Sequence, residues 1–324
     1  MIQTVLVSGA AGFVGPNLIE SLLGRGFKVI AIDDLSRGNI EHLKRFNSES
    51  NFLFRKCDCS DQSSLQEIVE MLPSPFARID EIFHLAANSD ILAGVDNGCI
   101  DLKDTFLTTF ELLQLCKQKC IRKFSFASSS AVYGDHGSTK ISELTSPMMP
   151  VSNYGAMKLA SEAIISAACE SFIDVGRIFR FPNVVGVPST HGVIYDLITR
   201  IKSDCNVLKV LGDGSQKKSY LHVSDLIDAM QFICDLDDCG RVIYNIGPTD
   251  EGVTVAEIAE LIVQHLAPDC QISYAGGSRG WVGDVPRFSY SVEKLQDRGW
   301  TPKRGSRKAV ELAVSQIATQ LADA

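Results

Sequence analysis

Long apolar segments and paired cysteines are the two features that this sequence most clearly lacks. No apolar run approaches the length of a transmembrane helix, and no basic leader precedes a cleavable apolar segment at the amino terminus. The ten cysteines are scattered, without a CxxC pair that would indicate a metal site. Membrane-spanning, secreted and metal-binding proteins are therefore disfavoured, and we expect a cytoplasmic protein with reduced cysteines and no metal.

Internal repeats, low-complexity tracts and an excess of basic residues are also absent. Lysine and arginine number 31 against 39 aspartates and glutamates, which gives a formal net charge of -8. An acidic chain is a poor general binder of nucleic acid or of anionic membranes. With 324 residues the chain can bury a large core in one or two domains, which is typical of a soluble enzyme.

The amino-terminal segment has the order of elements that is typical of a dinucleotide-binding unit. Residues 4–8 are a short apolar run rich in β-branched side chains, which indicates a buried parallel strand. The run leads into the glycine-rich turn Gly9-x-x-Gly12-x-x-Gly15 and then into a helical pattern. Glycines here allow a tight turn and a close approach of the backbone to a pyrophosphate, whose charge the helix amino terminus favours.

A carboxylate at the end of the second predicted strand supports the same interpretation. Residues 28–32 form the next apolar run, and Asp33 follows it, 18 residues beyond Gly15. A carboxylate at this point accepts hydrogen bonds from the ribose hydroxyls of adenosine and repels a 2′-phosphate. The sequence therefore predicts that the chain binds NAD rather than NADP.

Strands and helices alternate through the first half of the chain. The sequence predicts further strands over 52–58, 81–87 and 123–127, and helices over 61–72 and about 100–120. Repeated βα units indicate an α/β fold with a doubly wound parallel (Rossmann) sheet, whose ligand lies beyond the carboxyl ends of the strands. Asp33, Asp58 and Ser129 all fall at these carboxyl ends, and Asp58 is placed to contact the adenine of the cofactor. His84 lies inside an apolar strand and is expected to be a packed core residue.

Three side chains form a candidate acid–base centre. Tyr154 and Lys158 are one helical turn apart, and Ser129 belongs to the serine run that follows the fifth predicted strand. A lysine ammonium one turn away stabilises a phenolate and so lowers the pKa of the tyrosine, and a serine hydroxyl can share the proton. Together the three side chains indicate a device that adds or removes hydride at a sugar or alcohol carbon.

The motifs taken together resemble those of the extended short-chain dehydrogenases/reductases and, within them, the nucleotide-sugar epimerases of the UDP-glucose 4-epimerase type. The resemblance covers nearly the whole chain. It rests on the Gly9–Gly15 turn, the segments 33–36, 84–87 and 128–134, the pair Tyr154-x-x-x-Lys158, and the later segments 180–186 and 211–216. It implies a tightly held NAD and a smaller mixed α/β substrate lobe at the carboxyl-terminal side.

The resemblance implies a reversible redox cycle that inverts C4 of a nucleotide-diphosphate sugar, of the UDP-glucose/UDP-galactose or UDP-hexuronate type. Tyr154 takes the proton from the sugar 4-hydroxyl while hydride leaves C4 for NAD. The 4-keto sugar then turns and takes the hydride back on its other face. Ser129 relays or steadies the proton, and Lys158 also bonds the nicotinamide ribose.

The same resemblance assigns residues to the two ligands. The cofactor-binding residues are Gly9, Gly12, Phe13, Val14, Gly15, Asp33, Asp34, Leu35, Ser36, Asp58, Cys59, Leu85, Ala86, Ala87, Tyr154, Lys158 and Phe181. The substrate-binding residues are Ser89, Ser129, Asn183, Lys218, Arg279 and Phe288. Asn183 matches the asparagine that usually touches the diphosphate of the nucleotide sugar.

Two departures from the family pattern bear on the substrate. Lys218 stands where the family usually places an arginine toward the diphosphate, which keeps the charge but loses the planar bidentate fork. Trp281 stands where an arginine often precedes Gly-Asp-x-Pro, and Arg279 is the candidate to replace it. Phe288, two residues beyond that segment, should crowd an acetamido group, so we expect a hexose or hexuronate to be preferred over an N-acetylhexosamine.

Other functions of the same fold stay open at this point. A sugar 4,6-dehydratase usually has an acidic pair shortly before Val-Tyr-Gly, whereas this chain has Ser129-Ser130-Ala131 there. A 5-epimerase or 4-reductase is compatible with the motifs. From another class, a non-catalytic NAD-binding redox sensor is disfavoured because such proteins often lose the tyrosine or the lysine.

The resemblance also predicts how the chain is organised. Residues 1–181, with returning segments at about 217–247, form the NAD-binding domain, and residues 182–216 and 248–324 form the substrate lobe. A homodimer is expected through the helices near 100–120 and 153–170. Their apolar residues at helical spacing are Phe106, Phe110, Leu113, Ala160, Ile164 and Ala168.

Overall fold

The computed structural model describes residues 2–137, 139–277 and 289–322. Strands β1–β8 are Thr4–Ser8, Lys28–Asp33, Phe52–Lys56, Glu81–His84, Lys123–Ser129, Lys140–Ile141, Val175–Phe181 and Asn183–Val185. Strands β9–β15 are Val207–Val210, Lys217–Lys218, Tyr220–His222, Gly240–Asn245, Val253–Thr254, Gln271–Tyr274 and Ser289–Tyr290.

The helices fill the connections between these strands. Helices α1–α6 are Val14–Gly24, Gln62–Glu70, Ile91–Asp96, Gly98–Asp101, Thr108–Lys119 and Asn153–Cys169. Helices α7–α11 are Val193–Ser203, Val223–Cys234, Val255–Leu266, Glu293–Asp297 and Ser306–Ala322. A π-helix, Leu102–Leu107, joins α4 to α5, and short 3₁₀ helices cover Ile40–Phe46, Ser74–Phe76 and Ser130–Val132. Within the described ranges, no helix is long and apolar enough to cross a membrane.

The central sheet has seven strands in the order β12-β7-β5-β4-β1-β2-β3. The pairs β1–β2, β1–β4, β2–β3 and β4–β5 are all parallel. The strand order reverses between β1 and β4, and at such a switch point the loops that follow the two strands diverge and leave a crevice for a ligand. The predicted doubly wound parallel sheet is therefore confirmed, with its ligand edge at the carboxyl ends of β1 and β4.

The chain divides into two compact units. The first comprises Met1–Val132, Met148–Arg180 and Cys234–Tyr244, and the second comprises Tyr133–Pro147, Phe181–Ile233 and Asn245–Ala324. Each has its own apolar core, the first around Leu6, Ile30, Ile82 and Phe124 and the second around Leu208, Ile258 and Val310.

The sequence predicts that two later segments return to the central sheet, and only one of them does. Strand β12 joins the sheet at one edge. Strand β11 instead pairs in parallel with β8, so that Tyr220 lies opposite Asn183. The prediction for residues 220–222 is wrong because the hydrogen-bond partners of this short strand belong to the second unit.

The long helix predicted near 100–120 is interrupted. The π-helix Leu102–Leu107 separates α4 from α5, and the carbonyl of Thr105 accepts hydrogen bonds from the hydroxyls of Thr108, Thr109 and Ser161 at 3.2, 3.0 and 3.4 Å. A single π-turn inside an α-helix is frequently found at a functional site. Asp101, immediately before the π-helix, and Thr105, within it, are both fully buried.

Candidate active site

The glycine-rich turn after β1 leaves a cradle that a side chain would fill. Gly9 has φ +67°, and a Cβ at this position would lie 2.6 Å from the backbone nitrogen of Ala86, which follows β4. A Cβ on Gly15 would lie 2.4 Å from the carbonyl oxygen of Ala10. A Cβ on Gly12, in contrast, would meet only the carbonyl of Gly9, at 3.4 Å, so this glycine borders open space. Two of the glycines are thus required by the protein backbone, and the third keeps room for a ligand.

The amino terminus of α1 borders the same cradle. The helix starts at Val14, and Phe13 before it provides no side-chain cap. The first turn carries no acidic side chain that could occupy the site in place of an anion. The first backbone N–H groups of a helix have no intrahelical acceptors, and the helix dipole favours negative charge near them. The turn therefore suits the pyrophosphate of a dinucleotide.

Asp33 ends β2 and is buried beside the cradle. Its Oδ2 accepts a hydrogen bond from the Ala11 amide at 2.9 Å, and its Oδ1 accepts one from the Leu35 amide at 2.8 Å. Burial raises the pKa of Asp33, and these two hydrogen bonds act in the opposite direction. Each carboxylate oxygen has a second lone pair, so both can still accept a ribose hydroxyl. Arg37, the nearby cation in the sequence, is paired with Asp90 at 3.1 Å.

The other predicted cofactor residues of the first unit follow neighbouring strands. Asp34–Ser36 follow β2, Asp58 and Cys59 follow β3, and Leu85–Ala87 follow β4. Because these strands are parallel, all three segments lie at one edge of the sheet. Asp58 is itself held by Lys103, whose Nζ donates to its Oδ2 at 2.9 Å. Phe181, predicted for the same cofactor, ends β7.

The start of α6 brings the acid–base residues together. Ser152 caps the helix by accepting a hydrogen bond from the Gly155 amide at 3.1 Å. A Cβ on Gly155 would lie 2.5 Å from the carbonyl oxygen of Ala131, so glycine lets the helix start approach the segment that follows β5. As a result Ser129, the last residue of β5, comes close enough to Tyr154 to lower the pKa of its hydroxyl.

Burial affects the pKa values of both titratable residues of this centre. Burial raises the pKa of Tyr154 to about 12, against the opposing effect of the Ser129 hydrogen bond. Burial also lowers the pKa of Lys158 to about 7. The Nζ of Lys158 donates to the carbonyl of Ala127 at 2.6 Å and lies 5.8 Å from the centre of the Tyr154 ring. Burial therefore dominates the pKa of the phenol in the protein alone, and the lowering of that pKa by Lys158 stays a prediction.

A buried ion pair beneath the centre was not predicted. Glu162, one helical turn after Lys158, accepts hydrogen bonds from Arg180 Nε at 2.9 Å and from Arg180 Nη2 at 2.5 Å. The Ser128 hydroxyl donates to the same carboxylate at 2.5 Å. All three side chains are buried. The cluster therefore ties β5, α6 and β7 together directly behind Ser129 and Lys158.

His84 is a core residue, as predicted. It is fully buried at the end of β4, and burial lowers its pKa well below the usual value. Its Nδ1 lies 2.7 Å from the hydroxyl of Ser8, and its Nε2 lies 2.9 Å from the hydroxyl of Thr109. The Ser8 hydroxyl in turn accepts from the Ala86 amide at 3.4 Å. His84 thus fixes the ends of β1 and β4 at the switch point.

The predicted substrate residues are spread over both units. Ser89 is exposed in the loop after β4. In the second unit, Asn183 is exposed at the start of β8, and Lys218 is half-buried in β10, which pairs with β13. Arg279 and Phe288, together with Trp281, lie outside the described residues.

Comparison with known proteins identifies a family whose model matches about three quarters of the chain. A model of the NAD dependent epimerase/dehydratase family matches residues 5–247. A putative UDP-glucose 4-epimerase of Methanocaldococcus jannaschii is 26% identical over 316 residues, which cover 96% of this chain and 97% of that protein. A dTDP-D-glucose 4,6-dehydratase of Dictyostelium discoideum is 28% identical over 275 residues, which cover 81% of this chain and 62% of that protein.

Solved structures of similar proteins have the same fold along nearly their whole length. The UDP-glucose 4-epimerase of Thermus thermophilus, in complex with NAD, is 26% identical and has a TM-score of 0.83 over 97% of this chain and 99% of that chain. The UDP-glucose 4-epimerase of Thermotoga maritima, with UDP-glucose, is 25% identical and has a TM-score of 0.85 over 98% of this chain and 100% of that chain.

Proposed function

Because the chain belongs to the NAD-dependent epimerase/dehydratase family, with NAD as cofactor, we propose that it is a 4-epimerase of a nucleotide-diphosphate sugar. The observation that carries this proposal is the acid–base centre. The Ser129 side chain acts on the phenol of Tyr154 and lowers its pKa, and the Nζ of Lys158, one turn further along α6, lies 5.8 Å from the centre of the Tyr154 ring. Ser129, Ser130 and Ala131 provide no carboxyl group where a sugar 4,6-dehydratase usually has its acidic pair, which supports an epimerase.

The residues of the first unit fit the cofactor. We propose that the Gly9–Gly15 turn and the amino terminus of α1 hold the pyrophosphate, and that Asp33 accepts the hydroxyls of the adenosine ribose. The open space beside Gly12 and the missing cap of α1 support this assignment. When bound, NAD supplies the acceptor and donor of a hydride.

The side chains of the centre handle the proton. Tyr154 accepts the proton of the sugar 4-hydroxyl and later returns it, while Ser129 relays or steadies the proton. Because burial raises the pKa of Tyr154 to about 12, the protein alone keeps this proton on the phenol at neutral pH. Positive charge near the phenol favours release of this proton, and the Nζ of Lys158 lies 5.8 Å from the centre of the ring.

The substrate is proposed to be UDP-linked. The similar epimerases from Methanocaldococcus jannaschii and Thermotoga maritima are named for UDP-glucose, and the latter was solved with it. We assign the diphosphate to Asn183 and Lys218 of the second unit, and we keep the expectation that Phe288 favours a hexose or hexuronate. The alternative function is a dehydratase, because the similar protein of Dictyostelium discoideum is a dTDP-D-glucose 4,6-dehydratase.

Product analysis tests the proposed reaction. Purified protein is incubated separately with UDP-glucose, UDP-glucuronate, UDP-N-acetylglucosamine and dTDP-glucose, and the sugars formed are identified by NMR. We expect a C4-inverted sugar of unchanged mass from at least one UDP-hexose or UDP-hexuronate. A 4-keto-6-deoxy sugar, which has lost water, would overturn the epimerase in favour of the dehydratase.

Cofactor choice provides a prediction for Asp33. Asp33→Asn should raise the affinity for NADP relative to NAD by at least about tenfold, because it removes a charge that repels the 2′-phosphate and keeps an oxygen that accepts a backbone amide. Both affinities are measured by calorimetry on protein freed of cofactor. Glu41→Gln, an exposed change of the same charge nearby, should leave the ratio unchanged. An unchanged ratio in Asp33→Asn would remove Asp33 from the ribose site.

A homodimer is proposed through the helices of the first unit. Leu102 and Phe110 are exposed, 51% and 39%, and Phe106 between them is half-buried. Of the predicted stripe, Leu113 and Ala168 are instead buried in the core of the first unit. The prediction that these two residues belong to the dimer contact is therefore wrong, because part of each helix must pack on the sheet. The remaining apolar face is what supports the proposal.

Light scattering tests the dimer. At micromolar concentration the protein should have twice the mass of one chain, and Phe110→Asp should reduce it to one chain because the charge cannot be buried in an apolar contact. Leu144→Asp changes an equally apolar, 92% exposed side chain elsewhere and serves as the control. A single-chain mass for the unaltered protein would refute the dimer.

Location in a reducing compartment is part of the same proposal. All ten cysteines are free thiols, including the buried Cys57 and Cys59, which are separated in the sequence by Asp58 alone. Free thiols in this number are typical of proteins kept reduced in the cytoplasm.

A further inference from the structure

The carbonyl of Ala11, in the glycine-rich turn, is held by the segment that follows β2. The backbone N–H of Asn39 donates to this oxygen at 3.0 Å, and Nδ1 of His42 lies 2.9 Å from it. A carbonyl oxygen can only accept, so Nδ1 of His42 carries the hydrogen and donates it. Ala11 is fully buried, and His42 is half-buried. The turn is thus bound by a side chain 31 positions away, which the proposed function does not use.

The short 3₁₀ helix Ile40–Phe46 sets the position of His42. Asn39 caps this helix with its side chain. The His42 amide donates to the Asn39 carbonyl at 3.1 Å, which closes the first turn. Residues three apart lie on one side of a 3₁₀ helix, so the Asn39 amide and the His42 ring reach the same oxygen. Leu43 and Phe46 of the same helix are buried and anchor it in the core.

The amide of Ala11 is held as well. It donates to Oδ2 of Asp33, the carboxylate proposed to bind the adenosine ribose, at 2.9 Å. A Cβ on Gly38 would lie 2.6 Å from Oδ1 of Asp33 and 2.9 Å from Cβ of Ala11, so glycine lets this segment approach both. Ala11 therefore links the proposed ribose carboxylate and the segment 38–42 to Gly12, which borders open space.

The contacts of the Ala11 carbonyl fix the peptide group that joins Ala11 to Gly12. The carbonyl oxygen and the N–H of a trans peptide group point in opposite directions. Because the oxygen faces His42 and Asn39, the Gly12 N–H faces away from them and donates to the carbonyl of Gly9 at 3.3 Å. A reversed peptide would turn the Ala11 oxygen toward the Gly9 oxygen, and the two would repel. The donors at Asn39 and His42 thus keep the turn closed.

We propose that His42 is a positioning residue for NAD, whose ring donates to the Ala11 carbonyl and holds the glycine-rich turn in the form that binds the pyrophosphate. It acts on the cofactor through Ala11. The inference rests on the proposed assignment of the pyrophosphate to this turn and does not depend on which reaction the protein catalyses. A turn that is already held in its binding form loses less conformational freedom when the ligand binds, so the donor should raise the affinity for NAD.

The tautomer of His42 tests the hydrogen bond itself. Full-length protein with bound NAD is labelled with ¹⁵N-histidine, and the ring resonances are recorded at a pH at which the ring is neutral. The signals of His42 are assigned by their loss in His42→Asn. We expect the hydrogen on Nδ1, because the carbonyl of Ala11 can only accept. A hydrogen on Nε2 alone would overturn the proposal.

Two substitutions separate the donor from the ring. His42→Phe keeps a ring without a donor, whereas His42→Asn loses the ring and keeps a nitrogen donor at the same place along the side chain. The dissociation constant of NAD is measured by calorimetry on full-length protein freed of cofactor. It should rise about fivefold to tenfold in His42→Phe, the effect of one lost hydrogen bond, and stay within about twofold in His42→Asn. An unchanged constant in His42→Phe, or an equal rise in both variants, would contradict the proposed role.

His136 provides a matched control in the second unit. It is also half-buried, and its Nε2 lies 3.1 Å from the carbonyl of Tyr133. His136→Phe removes the same kind of donor from another backbone carbonyl and should leave the NAD dissociation constant within about twofold. A rise equal to that in His42→Phe would show a general effect and refute the proposal. If His42→Phe does not fold, His42→Leu replaces it, and the tautomer of the unaltered protein still decides.

Gly12→Ala separates this inference from the proposed cofactor site. A Cβ at Gly12 meets only the carbonyl of Gly9, at 3.4 Å, so the variant should fold. Its methyl group occupies the space proposed for the pyrophosphate and should weaken NAD binding by about tenfold or more. If Gly12→Ala binds NAD as the unaltered protein does, the assignment of the pyrophosphate to this turn is wrong and the inference falls with it. If Gly12→Ala binds weakly and His42→Phe binds normally, only the role of His42 is wrong.

Discussion

Tyr154→Phe should lower kcat by about 10²- to 10⁴-fold, the contribution typical of a positioned acid–base group. The substitution removes one oxygen, the atom whose pKa Ser129 lowers and that is proposed to exchange the proton of the sugar hydroxyl. The ring stays, so packing around Lys158 should be kept. The fold, followed by circular dichroism, and the affinity for NAD should therefore be unchanged.

The comparison that isolates this effect is a second loss of a phenol oxygen. Tyr195→Phe makes the same atomic change on the half-buried Tyr195 of α7, in the other unit, and should leave kcat within about twofold. Initial rates are measured with saturating substrate for both variants. Turnover of Tyr154→Phe within tenfold of the unaltered protein would exclude Tyr154 as the group that carries the proton.

The acidities of the centre show why this tyrosine needs its surroundings. With a pKa of about 12, Tyr154 would be ionised in roughly one molecule in 10⁵ at pH 7 in the protein alone. Lys158, with a pKa of about 7, is charged in only part of the molecules at the same pH. Any group that keeps Lys158 protonated therefore also favours the phenolate through its charge.

The features that the sequence predicts well are those that depend on neighbouring residues. Gly9, Gly12 and Gly15 form one turn, and Asp33 ends the next strand, so spacing along the chain fixes their place at the sheet edge. Tyr154 and Lys158 share one helix, and their separation is a property of that helix. Local patterns of this kind are sufficient to predict which edge of the sheet carries the candidate cofactor residues.

The features that the sequence does not predict depend on contacts between distant residues. Arg180 meets Glu162 across 18 positions, and Asn88 meets Asp101 across 13, in both cases between different elements. The spacing of four between Lys158 and Glu162 could have indicated this cluster, because it places a carboxylate on the same helix face as the catalytic lysine. The raised pKa of Tyr154 was not predicted for a related reason. It is caused mainly by burial, which depends on contacts made by the whole fold.

Arg180→Met should destabilise the protein by about 3–5 kcal/mol, because it leaves the Glu162 carboxylate buried without its charged partner. The guanidinium holds both carboxylate oxygens and is itself 1% exposed, so water cannot replace it. Methionine keeps much of the volume, which limits the loss of packing. The free energy of unfolding is measured by denaturant titration, with NAD saturating in each variant because bound ligand adds to stability.

Two further variants identify the charge as the cause. Arg241→Met removes an exposed arginine that bonds the Ser166 hydroxyl at 2.8 Å and should cost well under 1 kcal/mol. The double variant Glu162→Met with Arg180→Met removes both charges, and replacing a buried pair by apolar side chains of similar size is often neutral. We therefore expect the double variant to be more stable than Arg180→Met alone. If the double variant were less stable than Arg180→Met, the loss of stability would come from packing rather than from an unpaired charge. The buried pair behind Ser129 and Lys158 would then stabilise the fold mainly by its packing.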